Sequence, residues 1–552
     1  MSTTKPIGQL VYIALGLSLV IANLSAQTGT GSVPSKSMHY ADRLGQATTG
    51  LIPYPNDVRI SDGAYHLPRR VLVSSEHPGL AIAARLLDSL ASRSLPGYHF
   101  DRQAVDNRQA HIRIRYKHSI QSPEGYQLEV SPQGINIEAR DKRGAIYATM
   151  TLLQILESHY DHRLSTLAPL ECISIVDSPR YMMRGLMLDP ARHFLPVKDI
   201  KGYMDIMLRY KYNTLQLHLT DDQGWRFEVK SLPQLASREH YTREELRELL
   251  DYAHERGIEL IPEVDIPGHT AALLHALPEL RMEAHRDSTF VLGKTDNVML
   301  SASEEKTYQV LREVFAELRE VFPAGTKLHL GGDESAIERN WAKSPSHLKL
   351  MQSKGYAQPE QLMSYFFGRV YPIVRELGFV PMQWCELDNI RLPAQRYLMN
   401  YPQDVALVTW RMHLTPTCIE LTRASGHQLV LAPGESAYLD YPQWRGDLPE
   451  HNNWGMPITS LERSYNFDLL SGISAKDDTH IMGVMATLWG EAIKDIHRTY
   501  YMTYPRALAI AEQGWTKHSY RHWNKFRRSV PYVLNTLERQ GIAHRRPVEL
   551  YQ

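Results

Sequence analysis

Cysteine is scarce in this chain of 552 residues, which has only Cys172, Cys385 and Cys418. Three cysteines at such wide spacings exclude a disulfide framework and leave room for one bridge at most. None of them has the close spacing of a structural zinc site. The chain must therefore fold around a hydrophobic core, and its 43% of hydrophobic residues is ample for two or three globular domains.

An excess of either charge is also missing, because 61 Lys and Arg residues balance 61 Asp and Glu residues. Such a chain has no basic surplus for nucleic acid and no acidic tail. It also has no glycine-rich loop with Lys or Arg that would cradle a phosphorylated ligand. These absences favour a neutral ligand, and we predict no nucleic-acid partner.

The N-terminus has the pattern of an export signal. Lys5 is the only charged residue among the first 35, and an apolar stretch follows from about residue 10 to residue 24. This stretch is short for a membrane span and typical of a secretory signal. We predict a signal peptide over residues 1–26, cut after Ala26, export to the periplasm or the extracellular space, and no stable membrane insertion after cleavage. An uncleaved membrane anchor is the alternative.

Residues 27–50 are polar and are predicted to form a flexible lead-in, and residues 51–178 a small α+β domain. The segments 126–130 and 135–139 alternate apolar and polar residues on either side of Gly134, which is typical of a hairpin. Helical patterns lie near residues 80–92 and 143–156. No group of chemically active side chains stands out here, so we predict a non-catalytic domain.

Residues 179–552 alternate short apolar strands with longer helical stretches, which predicts an α/β fold closed as a (β/α)₈ TIM barrel. The eight strands begin near residues 185, 214, 258, 327, 380, 405, 429 and 483. The helical stretches are 197–210, 243–256, 303–321, 360–377, 415–425 and 503–514.

Acidic and aromatic residues follow almost every one of these strands. The C-terminal ends of barrel strands lie on one face, so these residues should meet in one pocket. The most informative stretch is Gly331-Gly332-Asp333-Glu334, which is typical either of a tight turn or of an acid/base pair. The candidate lining comprises Asp189, Asp221, Asp222, His269, Asp333, Glu334, Trp384, Glu386, Trp410, Tyr438, Asp440, Trp489 and Glu491.

Acids together with aromatic residues suit a neutral, polyhydroxylated ligand, because carboxylates accept hydrogen bonds from hydroxyl groups. A metal site is the competing interpretation, since His218, His269 and His329 lie at or near strand ends among acids. The chain has no H-E-x-x-H spacing, and a strand histidine is more often a core residue. We predict no metal and no cofactor.

These motifs lead to a known family. Over about residues 51–530 the chain resembles the glycoside hydrolase family 20 β-N-acetylhexosaminidases, and the front domain looks like their small non-catalytic domain. The resemblance is carried by RGLMLD (184–189), RHF (192–194), HLTDDQGW (218–225), IPEVDIPGH (261–269), HLGGDE (329–334), YLDY (438–441) and LWGE (488–491).

The resemblance implies an exo-acting enzyme that removes terminal β-linked N-acetylglucosamine or N-acetylgalactosamine from glycans or chitooligosaccharides. It implies a retaining mechanism in which the substrate's own acetamide is the nucleophile. Glu334 would be the acid/base and Asp333 would hold the acetamide N–H, while Asp221 and His269 would flank Glu334. An acetamide pocket would consist of Trp384, Trp410, Trp489 and Tyr438, and the outer hydroxyls would bind Arg184, Asp440 and Glu491.

The chain departs from the family pattern at four places. Cys385 stands where Asp is usual, Gln216 and Leu217 replace His and Trp, and Met485 replaces Gln. These changes leave the preferred substrate open. Two alternatives are a glycosidase of the same fold that releases a disaccharide such as lacto-N-biose, and a sugar-binding barrel without catalysis.

Overall fold

The computed structural model of the protein describes residues 36–103, 109–283, 298–388, 397–447 and 455–551. The predicted signal peptide lies outside these ranges. Within them, no helix combines the length and the apolar character that crossing a membrane requires.

The strands of the small domain form one seven-stranded mixed sheet, in the order β1-β9-β5-β6-β4-β2-β3. They are β1 Asp57–Tyr65, β2 Arg70–Ser75, β3 His99–Gln103, β4 Ile112–Tyr116, β5 Tyr126–Ser131, β6 Gly134–Ala139 and β9 Leu170–Asp177, with a separate hairpin of β7 Tyr160–Asp161 and β8 Thr166–Leu167. The predicted hairpin is the antiparallel pair of β5 and β6.

The second domain is a closed barrel of eight parallel strands, which confirms the predicted fold. Neighbouring strands pair in chain order and β19 pairs with β10 to close the ring. The strands are β10 Met183–Leu188, β11 Thr214–His218, β12 Glu259–Glu263, β13 Lys327–His329, β14 Val380–Trp384, β17 Ala406–Thr409, β18 Leu429–Leu431 and β19 Ile481–Leu488. A short hairpin, β15 Leu387–Asp388 with β16 Tyr397–Leu398, follows β14.

Helices surround the barrel and cover the sheet. They are α1 Lys36–Ala47, α2 Ala81–Ser94, α3 Lys142–Ser158, α4 Val197–Arg209, α5 Arg243–Glu255, α6 Ala271–Ala276, α7 Glu305–Arg319, α8 Pro345–Lys354, α9 Gln361–Glu376, α10 Thr415–Ser425, α11 Gly434–Ala437, α12 Leu461–Tyr465, α13 Phe467–Leu470, α14 Ile496–Thr503, α15 Arg506–Trp515 and α16 Trp523–Arg539. The helix predicted over 503–514 corresponds to α15, which begins directly after Pro505, because a proline cannot supply the N–H that a helix interior needs.

The predicted flexible lead-in differs from the structure, because its second half forms α1. Leu44 and Ala47 of this helix pack on the core of the small domain, and tertiary ion pairs add to this contact. Arg43 lies 2.7 Å from Glu171 on β9 and 2.9 Å from Asp62 on β1. The helix is therefore tied to the edge of the small domain.

The inside of the barrel is filled by large apolar side chains, many of them methionines, and ends in aromatic rings. Met187, Met382 and Met485 are fully buried there, together with Trp384. Trp410 and Trp489 pack on this cluster and remain partly exposed. Packed apolar side chains therefore fill the inside of the barrel, and an aromatic surface lies above them at the C-terminal ends of the strands.

Candidate active site

The turn after β13 can form only because two glycines follow the strand. Gly331 and Gly332 have φ of +62° and +95°, in the region that glycine adopts without strain. A methyl group on Gly331 would overlap the carboxylate of Asp265, and one on Gly332 would overlap the amide of Gln383. The chain therefore bends sharply and presents Asp333 and Glu334 above the barrel.

The two acids have different environments. Asp333 is 6% exposed, and its Oδ1 is buried without a hydrogen-bond partner among the described residues. Glu334 takes a left-handed φ of +46°, and its side chain is 58% exposed. Loss of hydration and the neighbouring charge of Asp333 raise the pKa of Glu334. Glu334 is therefore suited to carry a proton, and Asp333 has an acceptor free for a ligand.

His269 connects this pair to a third acid. Its Nε2 lies 3.7 Å from Glu334 Oε2 and 3.9 Å from Asp333 Oδ2, and its Nδ1 lies 3.3 Å from Asp221 Oδ2. Burial alone would raise the pKa of Asp221, but Arg192, His269 and His218 hold it well below its usual value. Asp221 is thus an anion that orients and charges His269.

Aromatic side chains form the wall beside Asp333. The rings of Trp384 and Trp489 are 5.8 Å apart, and those of Tyr438 and Trp489 are 6.2 Å apart. Trp410 donates its indole N–H to Glu386 over 3.0 Å. Burial raises the pKa of Tyr438 well above its usual value, so its hydroxyl keeps its proton and can donate.

Polar groups that can bind sugar hydroxyls lie at the rim of the pocket, next to Trp489. Asp440 Oδ1 accepts a hydrogen bond from the Trp489 backbone over 3.4 Å. Burial and the charge of Glu491 raise the pKa of Asp440. Arg192 Nη2 lies 3.9 Å from Glu491 and 2.8 Å from Asp221, and its guanidinium lies 5.1 Å from the ring of Trp489.

The sequence matches two family models, and the match to the first contains these groups. "Glycosyl hydrolase family 20, catalytic domain" matches residues 181–518, and "Glycosyl hydrolase family 20, domain 2" matches residues 48–178. The chain belongs to glycosyl hydrolase family 20. The resemblance drawn from the motifs is confirmed.

Relatives with curated names agree with this membership. A beta-hexosaminidase from Akkermansia muciniphila is 36% identical over 433 residues, which are 74% of this chain and 82% of that protein. A beta-hexosaminidase from Vibrio furnissii is 32% identical over 85% of this chain and 77% of its own length. The solved structure of Streptomyces plicatus N-acetyl-beta-hexosaminidase in complex with Thio-NAglucal has a TM-score of 0.77 and 28% identity, covering 91% of this chain and 97% of that one.

The prediction that Arg184 binds the substrate is wrong for this family 20 site. Arg184 is the second residue of β10, at the end of the strand away from the pocket, and it is 1% exposed. Its Nη2 donates to Glu124 of the small domain over 2.7 Å, and its Nε donates to the Lys211 carbonyl over 2.8 Å. Five residues of strand separate it from Asp189, about 16 Å at ~3.3 Å per residue. Arg184 therefore joins the two domains.

Arg192 occupies the place that had been assigned to Arg184. It lies just beyond the C-terminal end of β10, where its guanidinium is 3.0 Å from Asp189 and 2.8 Å from Asp221. The sequence did contain a signal, because Arg192 follows the acid at a strand end by three residues, within the RHF motif. The other predicted residues lie on the C-terminal face of the barrel.

Three acids outside the predicted site set hold its parts in place. Asp189 accepts the Gly490 N–H over 2.8 Å, and Asp222 accepts the Ala271 N–H over 2.9 Å. Burial and the charge of Asp221 raise the pKa of Asp222 to about 6. Burial raises the pKa of Glu386 to about 7, although Arg411 opposes this.

Two groups of side chains have potential metal-ligand atoms within 4.8 Å of one another, His218 with Glu263 and Asp265, and Asp221 with Asp265 and His269. His218 already has a carboxylate 2.8 Å from each ring nitrogen, and Arg192 lies 2.8 Å from Asp221. A cation would have to displace these partners. We therefore assign both groups to the hydrogen-bond network of the pocket.

Proposed function

We propose that the protein is an exo-acting β-N-acetylhexosaminidase that releases terminal, non-reducing, β-linked N-acetylglucosamine or N-acetylgalactosamine. The observation that carries the proposal is the unpartnered, buried Oδ1 of Asp333 beside Glu334, under a wall of tryptophans. An acceptor that is buried without a donor is costly unless a ligand supplies one. The acetamide N–H of the substrate is such a donor, and the names of the relatives agree with this substrate class.

The reaction then proceeds in two steps on these side chains. Glu334 gives its proton to the glycosidic oxygen as the bond to the anomeric carbon breaks, and the acetamide oxygen bonds to that carbon. Asp333 accepts the acetamide N–H and stabilises the positive charge of the resulting oxazolinium. Glu334, now ionised, takes a proton from a water molecule that attacks the same carbon and reopens the ring. Two displacements retain the β configuration.

The shape of the pocket suits a terminal sugar. Trp384 is fully buried and closes the floor, while Arg192, Asp440 and Glu491 lie at the rim beside Trp489. These groups would bind the hydroxyls of the last sugar residue. Release of a disaccharide is the alternative, and it requires the rim to leave space for a second sugar.

The deciding experiment is hydrolysis of 4-nitrophenyl N-acetyl-β-D-glucosaminide and of the galactosaminide by the wild-type protein and by Glu334→Gln. We expect the variant to lose at least about 10²-fold in kcat/KM, because it cannot supply general acid catalysis. The control substrate is 4-nitrophenyl β-D-glucoside, which lacks the acetamide and should not be hydrolysed. Equal turnover of the N-acetylglucosaminide and the glucoside would contradict the mechanism. Release of lacto-N-biose from its aryl glycoside, without release of the monosaccharide, would favour the alternative.

Export is a separate part of the proposal and rests on residues 1–26 alone. Expression of the full chain in a bacterial host, followed by fractionation and N-terminal sequencing, tests it. We expect the protein outside the cytoplasm with Gln27 as its first residue. A cytoplasmic protein that retains the apolar stretch would contradict this.

A further inference from the structure

One carboxylate below the pocket is contacted from three neighbouring strands. Glu263, at the C-terminal end of β12, is fully buried. Its Oε2 lies 2.8 Å from His218 Nδ1 and accepts a hydrogen bond from Gln216 over 2.9 Å. Its Oε1 lies 2.9 Å from His329 Nδ1 and accepts a hydrogen bond from the indole N–H of Trp384 over 3.1 Å. Burying a carboxylate costs several kcal/mol unless polar partners surround it. Here Gln216 and Trp384 donate hydrogen bonds to Glu263, and the rings of His218 and His329 lie beside it.

One side of Glu263 leads to the acid/base residue. His218 Nε2 lies 2.8 Å from Asp221 Oδ2, so both ring nitrogens face carboxylates, and Arg192 Nη1 lies 3.2 Å from the same Nε2. Burial would lower the pKa of His218, but Glu263 and Asp221 raise it well above the usual value. Asp221 in turn contacts His269, whose Nε2 lies 3.7 Å from Glu334. Glu263 thus fixes the first member of a chain that ends at Glu334.

The other side of Glu263 leads to the aromatic wall. Trp384 points its indole N–H down to Glu263, which sets the orientation of the ring that packs 5.8 Å from Trp489. His329 is held by the same carboxylate and meets Trp384 edge-on, with ring centres 4.5 Å apart. A movement of Glu263 would therefore tilt the surface on which the acetamide rests.

We propose that Glu263 is a positioning residue that couples the acid/base chain of Glu334 to the acetamide wall, so that one carboxylate sets both. Gln216 supports it with a donor that does not titrate. This inference rests on the proposed function, because it concerns the same pocket, but it assigns a role to groups that touch no substrate.

Replacing Glu263 by glutamine removes its negative charge and tests what that charge does in the pocket. One oxygen of Glu263 becomes an NH₂ group, and that group must face either Gln216 or Trp384, which both donate hydrogen bonds to the carboxylate. His218 then loses one of the two carboxylates that keep it charged and releases its proton. Along the contact chain, His218 is one residue nearer to Glu334 than Glu263 is. We therefore expect the loss of the positive charge on His218 to have the larger effect on Glu334. The pKa of Glu334 should therefore rise.

Other charged groups surround this pair, and Asp265 among them should respond to the substitution, because the charge of Glu263 helps to raise the pKa of Asp265. His218 also faces Asp189 and Arg192, and Glu263 also faces Asp265. The basic limb of the pH dependence of kcat/KM reports the protonated acid of the free enzyme. We therefore expect that limb to move to higher pH in Glu263→Gln.

The experiment compares the wild-type protein with Glu263→Gln and with Glu512→Gln, a matched control. Glu512 is also fully buried but lies on α15, where it accepts hydrogen bonds from Tyr54 and Tyr465. We expect Glu263→Gln to lose on the order of 10²-fold in kcat/KM on the 4-nitrophenyl substrate. Glu512→Gln should keep the wild-type rate and pH profile.

Two further measurements separate the effect of Glu263 on acid catalysis by Glu334 from its effect on the acetamide wall. A 2,4-dinitrophenyl leaving group needs little help from an acid, so it should restore most of the rate of Glu334→Gln but only part of that of Glu263→Gln. Calorimetric binding of N-acetylglucosamine, which requires no turnover, should weaken in Glu263→Gln. Full recovery with the activated substrate, an unmoved basic limb or unchanged binding would each overturn the coupling. Failure of the wild type to hydrolyse the aryl glycosides would instead overturn the proposed function.

A milder variant keeps the inference testable if Glu263→Gln does not fold. Gln216→Leu removes one donor and leaves the carboxylate in place. Loss of one hydrogen bond to the charged carboxylate should reduce kcat/KM and the affinity for N-acetylglucosamine about 10-fold, the lower end for such a bond. Wild-type values for both would overturn the inference.

Discussion

Two arginines of the first barrel segment, Arg192 and Arg184, are each replaced by glutamine in separate variants. The pair separates an effect on substrate binding from an effect on protein stability. Arg192→Gln removes the cation on the pocket rim, which lies 3.9 Å from Glu491 and 5.1 Å from the Trp489 ring. Arg184→Gln removes a more deeply buried cation at the other end of β10, which lies 2.7 Å from Glu124. Both substitutions delete one charge and keep a polar amide, so they form a matched pair.

The expected magnitudes follow from the partners. A hydrogen bond from a charged group to a sugar hydroxyl contributes about 1.5–3 kcal/mol, so Arg192→Gln should lower kcat/KM by about 10- to 150-fold. Removing Arg184 takes away the nearer of two cations at the buried Glu124 carboxylate, because Arg143 remains 3.3 Å from it. We expect a loss of about 3 kcal/mol in the free energy of unfolding, the lower end for a broken buried ion pair. The folded Arg184→Gln protein should keep the wild-type kcat/KM.

The assay measures both quantities on the same preparations. Hydrolysis of 4-nitrophenyl N-acetyl-β-D-glucosaminide at 25 °C gives kcat/KM for protein shown to be folded by circular dichroism, and urea unfolding gives the midpoint for each variant. The reasoning is refuted if folded Arg184→Gln loses tenfold or more in kcat/KM, or if Arg192→Gln hydrolyses the substrate as fast as the wild type.

Three other predictions concern a turn, a hydroxyl and a buried acid. Gly355→Ala, with a φ of +69° and no atom within 4 Å of the added methyl, should cost about 1–2 kcal/mol of stability. Gly331→Ala should cost more and also lower kcat, because the methyl overlaps the Asp265 carboxylate; urea unfolding and kinetics that match those of Gly355→Ala would argue against this. Tyr438→Phe should lower kcat about 10²-fold by removing a donor from the developing charge, and an unchanged kcat in the aryl glycoside assay would dismiss that role. Burial raises the pKa of Glu512 to about 7, so its contribution to stability is complete below the unfolded value near pH 4 and is lost as the pH rises to about 7. Glu512→Gln should flatten this decline by no more than about 4 kcal/mol in urea titrations between pH 4 and 8, and a decline as steep as that of the wild type would speak against it.

The strand ends explain why so much of the site could be predicted. Parallel strands of a barrel finish on one face, so an acid or tryptophan that directly follows an apolar strand is placed by topology alone. Asp333, Glu334, Trp384 and Trp489 follow or end their strands in this way, and the structure brings them together. The order of residues along each strand was enough to predict their position in the pocket, because the distance of a residue from the end of its strand depends only on the local sequence.

Arg184 shows where this reasoning fails. It belongs to the same motif as Asp189, but it enters β10 at the start rather than leaving it at the end. Membership of a motif does not say which end of a strand a residue occupies when the strand's first residue is uncertain. The helix over Lys36–Ala47 was missed for a related reason, since its ion pairs join residues as far apart as Arg43 and Glu171.

The sequence by itself determined the eightfold alternation of strands and helices, the acidic and aromatic strand ends and the family, because these depend on local periodicity and on short motifs. Only the tertiary structure decided which arginine reaches the pocket, and only it revealed that Glu263 serves both Glu334 and the tryptophan wall. The contacts of Glu263 come from residues 216, 218, 329 and 384, which meet only when the barrel closes. A buried charge is defined by what surrounds it in space, and that information is distributed over separate strands of the chain.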